Sequence, residues 1–214
     1  MFVGHFALGF AAKRAAPRTS LAVLFVAAQL ADLLWPVFVA IGLEQVRIDP
    51  GNTAFTPLDF VSYPYSHSLL MLAVWGVMLA AVVVRRTSRR TFALVVALVV
   101  SHWVLDWLTH RPDMPLYPGS ARYGLGLWNS VPATLTIELA LFAIGVWIYA
   151  ASTRARDAIG RWSFVAFVVF LLIIYALNVF GGPPPSVTAL WIVALAGAAI
   201  LVAWSAWFDY HRTA

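Results

Sequence analysis

Cysteine does not occur in the 214-residue sequence. Its absence excludes disulfides and thiolate metal sites, so a metal ion here has only histidine nitrogen and carboxylate oxygen to bind. Charge is also scarce: Asp, Glu, Lys and Arg make up 11% of the chain, against about 25% in a soluble domain. With nine acidic side chains in all, each one inside an apolar segment calls for a partner. No internal repeat or low-complexity tail is visible, which leaves residues 1–214 as a single domain. No charged segment precedes the first apolar stretch, because Lys13 and Arg14 follow residues 2–12. A cleavable signal peptide is therefore not expected.

What fills the chain instead is apolar sequence, 62% of all residues. Six runs approach about 20 residues, the length that crosses a bilayer: 21–43, 66–84, 91–110, 132–152, 161–180 and 187–208. Residues 2–14 form an apolar helix too short to cross. The expected fold class is all-α, a polytopic membrane helical bundle of six transmembrane helices plus a short N-terminal half-helix. Residues 1–152 carry the motifs, and 153–214 add two accessory spans. Thr19 or Ser20 should cap the first span and Ser66 the second. Pro36 should kink the first span, because it cannot donate to the Asp32 carbonyl. Loops 44–65 and 111–130 are long for connections, which points to function.

The net charge of +5 is not a nucleic-acid footprint, since the cations sit between apolar runs. One set of ends and loops holds eleven of them: Lys13, Arg14, Arg18, Arg85, Arg86, Arg89, Arg90, Arg154, Arg156, Arg161 and Arg212. The other holds three, Arg47, Arg111 and Arg122. That asymmetry places both termini in the cytoplasm and the two long loops outside. The expected location is the bacterial inner membrane, with membrane lipids as partners.

Ionisable residues within spans are expensive and mark function. In Ser101-His102-Trp103-Val104-Leu105-Asp106-Trp107-Leu108-Thr109-His110, the residues His102, Asp106 and His110 share one helix face. His102 and Asp106, one turn apart, either bind one metal ion or pair with each other. Counting inward at 1.5 Å per residue from the nearest cytoplasmic cation places His5 roughly 12 Å deep, and Asp32, His67, His102, Asp106 and Glu138 roughly 18–27 Å deep. In a slab about 30 Å thick these heights are compatible, towards the outer half. A fold-back at Pro17 would lay His5 beside Asp32. His110 falls at the water boundary, and Glu138 reads either as a base or as a structural acceptor.

Gly4-His5, an acid in the first span, Ser66-His67-Ser68-Leu69-Leu70 and Ser101-His102-Trp103-Val104-Leu105-Asp106 together resemble a family of bacterial inner-membrane metal-dependent hydrolases. The resemblance covers most of residues 1–145. It implies a metal shell of His5, Asp32, His67, His102 and Asp106. Many members carry Pro-Asp and then a second aspartate where this chain has Ala31-Asp32 and Leu34, so one ion rather than two is expected.

The expected cofactor is a divalent metal, zinc first, given imidazole and carboxylate donors. It would activate water against a lipid or lipid-linked substrate, such as a phosphoester, near the outer face. Glu138 or His110 would move protons, and Arg111, Arg122 and Asn129 would orient an anionic head group. The competing class is a metal-ion or proton-coupled transporter. Its polar path should continue to the cytoplasmic side, yet residues 77–84, 92–100 and 141–151 hold no Asp, Glu, His, Lys or Arg. A purely structural cluster is the third reading, which metal analysis separates from the other two.

Overall fold

The structure, a computed structural model, describes residues 1–84 and 88–214. Arg85 and Arg86, counted in the charge asymmetry, lie outside the described residues. The chain runs through α1 (Val3–Ala15), α2 (Leu21–Ala28), α3 (Leu30–Ala40), β1 (Gln45–Ile48), β2 (Leu58–Ser62), α4 (Pro64–His67), α5 (Leu69–Val83) and α6 (Arg89–Thr109). There follow β3 (Met114–Pro115), β4 (Arg122–Tyr123), a 3-10 turn (Leu127–Asn129), α7 (Val131–Ser152), β5 (Arg154–Ala155), α8 (Ala158–Phe180), α9 (Val187–Tyr210) and β6 (Arg212–Thr213). The strands form three antiparallel pairs, β1–β2, β3–β4 and β5–β6. Side-chain oxygens of Ser20, Ser68, Ser88, Ser130 and Ser186 cap α2, α5, α6, α7 and α9, and Asp157 caps α8. Each takes one of the amides that a helix start leaves open.

Among the described residues, α6, α7, α8 and α9 are long and apolar enough to cross a membrane, with 21 to 24 residues and mean hydropathy of 1.8 to 2.6. The pair α2–α3 is apolar enough for a fifth crossing but bends by 59°. The segment expected to cross at 66–84 contains α5, whose 15 residues extend about 22 Å, short of a hydrocarbon core about 30 Å thick. Ser68, not Ser66, caps it.

The bend in the first expected span lies at Gln29 rather than at Pro36, which sits inside α3. Gln29 leaves helical geometry at φ −106°, ψ 10°. The break turns the Ala28 carbonyl towards His102, whose Nδ1 lies 2.9 Å away. A tertiary hydrogen bond thus takes the place of a helical one. Pro36 lacks only a donor, and α3 continues through it.

Helix α1 lies along α7 in the same direction, with Phe2 and Gly4 beside Glu138 and Phe10 beside Tyr149. Gly145 makes this approach possible, because a Cβ there would stand 2.4 Å from the Ala7 carbonyl oxygen. Below the N-terminal end of α1, Phe6, Phe10, Phe25, Phe142, Phe164 and Phe167 form a buried aromatic core. Edge-to-face contacts fix it, such as Phe10–Phe25 at 4.8 Å between centroids. At the far end Lys13 and Asp209 form a buried ion pair of 2.7 Å. Asp209 also accepts from the Leu21 amide and the Tyr149 hydroxyl, joining α1, α2, α7 and α9.

Candidate metal centre

The five residues of the expected shell come from α1, α3, α4 and α6 and meet at one place. Asp106 is the hub. Its Oδ1 lies 3.0 Å from His5 Nε2, and its Oδ2 lies 3.0 Å from His102 Nε2 and 3.9 Å from His67 Nε2. Asp32 Oδ1 lies 3.5 Å from His67 Nε2 and 3.8 Å from His102 Nε2. Two overlapping groups, His5–His102–Asp106 and Asp32–His67–His102, each present three donor atoms within 4.8 Å of one another. Donors about 2 Å from one zinc ion stand roughly 3.3 Å apart in a tetrahedron. The spacings bracket that value, so these groups can hold a metal ion. His102 Nε2 is buried and, among the described residues, has no hydrogen-bond partner, so its lone pair faces the Asp106 carboxylate without a proton between them. The rings of His5 and His102 stack at 3.7 Å between centroids, a contact that two imidazolium cations would oppose.

For three of the four histidines the opposite ring nitrogen is held from behind, whereas His5 Nδ1 is buried with no partner among the described residues. His102 Nδ1 meets the Ala28 carbonyl. His67 Nδ1 lies 2.7 Å from Ser66 Oγ, which donates to Glu44 Oε2 at 2.6 Å. His110 Nδ1 lies 3.0 Å from Asp113 Oδ1. Partners on Nδ1 fix the tautomer and aim Nε2 inward, as metal-binding histidines require. Glu44 also accepts from the Tyr65 and Ser66 amides, each at 2.8 Å, which satisfies the start of the short α4. His67 therefore ends the one-turn α4 rather than beginning a span, and α5 starts two residues later at Leu69. Tyr63 is buried and donates to Asp113 at 2.6 Å. Burial, reinforced by the Asp113 carboxylate, pushes its phenol well above the ordinary value and keeps it a donor.

The remaining candidates divide. His110, expected at the water boundary, is 2% exposed and turns Nε2 towards Asp106 Oδ2 at 3.8 Å. Glu138 instead secures α1: its Oε2 accepts from the Phe2 and Gly4 amides at 2.9 and 3.5 Å. The Met1 amino group donates to Asp106 Oδ1 at 2.5 Å. Arg111 joins the two long loops through Asp59, Asn52 and Asp113. Arg122 and Asn129 are exposed, and none of these three lines the cavity described next.

A cavity of about 560 Å³ opens on the cluster. Asp32, His67, Asp106 and His110 line it, whereas His5 and His102 lie behind them. Asp32 is the least buried of the shell, with 42% of its side chain exposed. Trp128, which the sequence did not single out, seals one side with its ring 4.1 Å from that of His110. The remaining wall is largely apolar, and most of it comes from α8, α9 and the turn between them, the spans expected to be accessory. Comparison with protein-family models, with curated proteins and with solved structures returned no match. The functional reading therefore rests on the residues and their geometry.

Proposed function

We propose that this protein is a membrane-embedded metal-dependent hydrolase acting on a lipid or lipid-linked substrate, such as a phosphoester, near the outer face of the bacterial inner membrane. One observation carries the reading: the Nε2 atoms of His5, His67 and His102 converge on Asp106 and Asp32 at 3.0 to 3.9 Å. The resemblance to the inner-membrane hydrolases supports the same five residues as ligands. Six crossings, with the C-terminus and the Lys13–Arg14 end of α1 in the cytoplasm, is the topology that the charge asymmetry supports; the Met1 amino group, expected in the cytoplasm, is instead buried against Asp106. A divalent ion, zinc first, would supply Lewis-acid polarisation of a substrate oxygen and acidification of water.

The other steps belong to side chains. His110 faces the cavity with Nδ1 held by Asp113, so its Nε2 is free to take a proton from water and return it to the departing oxygen. Hydrolysis then balances: water adds across the ester bond, its hydroxyl joins the acyl or phosphoryl centre, and the proton goes to the leaving group. Glu138, engaged with α1, is the weaker candidate for that transfer. Phe10, Phe25 and Phe167 fill the space between the cluster and the Lys13–Asp209 pair, which supports a one-sided site over a transport path.

Chelator-stripped protein in proteoliposomes of extracted bacterial lipid should release a water-soluble head group only after zinc is restored. Asp106→Asn should abolish that release. Robust proton or metal flux without hydrolysis, lost in Asp106→Asn, would replace the hydrolase reading with a transporter.

A further inference from the structure

The two ends of the cavity differ in chemistry. One carries the open side of the His/Asp cluster. The other passes between α2–α3 and α8–α9 and reaches Leu177, Val193 and Ile200, which are 61%, 68% and 57% exposed. Large apolar residues that line an interior space while lying exposed on outer helix faces mark where that space meets the surroundings. For a membrane bundle those surroundings are hydrocarbon. Along this wall α9 presents Ala194, Gly197 and Ala198. Glycine is a poor helix residue, and at Gly145 it is required by a close neighbour. At Gly197 a Cβ would meet nothing within 4 Å. The room beside α9 belongs to the cavity, not to helix packing.

We infer that this cavity is a lateral slot for one hydrocarbon chain, entered from the bilayer at α8–α9, which delivers the chain's polar end to the His/Asp cluster. The inference rests on the hydrolase reading and narrows its substrate to an amphiphile whose scissile linkage lies at the root of a long chain. A chain moving from bilayer to slot exchanges one apolar environment for another. The slot therefore contributes orientation and size selection more than affinity. It also assigns α8 and α9 a direct part in substrate selection, with Gly197 and Ala194 setting the bore.

The test uses the full chain in nanodiscs with hexadecanol bearing a mid-chain diazirine. Irradiation should leave adducts on Phe25 and Leu201, which line the slot and are 1% and 9% exposed. Gly197→Leu should cut those adducts by at least ~10-fold by filling the bore, with adducts retained on Val169 and Ile173, which are exposed midway along α8 outside the slot. Ala194→Leu, on the same wall, decides the matter where Gly197→Leu does not fold. Absence of interior adducts in the wild type, or adducts undiminished in the folded variants, overturns the slot. Metal content measured on the same samples separates the two readings. Slot adducts without metal would remove the hydrolase and leave the slot standing, and metal without adducts would do the reverse.

Discussion

Asp106 faces four imidazoles, those of His5, His67, His102 and His110, within 3.9 Å. Such an assembly of buried groups is costly unless something shares its lone pairs. The i, i+4 spacing of His102 and Asp106 was legible because helix periodicity is local. The groups behind the rings were not, because Glu44, Tyr63 and Asp113 reach the site from loops whose course no periodicity describes. Ser66→Ala removes the partner of His67 Nδ1 and should lower metal affinity about 10–100-fold, as read by competition with a chelator. An unchanged affinity would show that His67 does not need that support. Tyr63→Phe should lose about 1.5–3 kcal/mol at neutral pH, the worth of a hydrogen bond to a carboxylate. The folded phenol titrates above its unfolded value near 10, so its contribution is complete below about pH 10 and is lost as pH rises past it. Unfolding followed from neutral to alkaline pH should therefore show a steeper decline in the wild type than in Tyr63→Phe.

Among the elements, α1 is a half-helix held at both ends. Glu138 takes its first amides and Asp209 its Lys13 ammonium. The expectation that α1 would fold back beside α2 rested on its length and on Pro17. The surface it packs on was not legible, since Gly145 gives no sign in sequence that Ala7 lies against it. The kink placed at Pro36 missed for a related reason: the carbonyl freed at Ala28 is claimed by His102, 74 residues away. Asp209→Ala strands Lys13 in the interior and should destabilise the protein by about 3–5 kcal/mol in reversible unfolding, with metal content per folded molecule unchanged. Loss of metal in the folded fraction would mean that the latch and the centre are one unit.

The whole molecule is mostly helical and, among the described residues, combines four helices long and apolar enough to cross a membrane, and a bent fifth pair, with a buried His/Asp cluster. Its helical, apolar character followed from composition, with 62% apolar residues, whereas four to five of the six expected spans are long and apolar enough to cross among the described residues. The part played by α8 and α9 did not follow from composition, since their chemistry lies in the space they leave rather than in the side chains they carry. A reporter fused after Arg212 should be active only in its cytoplasmic form, and activity of the periplasmic form would reverse the topology. The centre itself is tested most directly by elemental analysis of purified wild type against folded His102→Ala. The account predicts about one divalent ion per chain in the wild type and its depletion in the variant. Equal metal content in the two, or none in either, would contradict it.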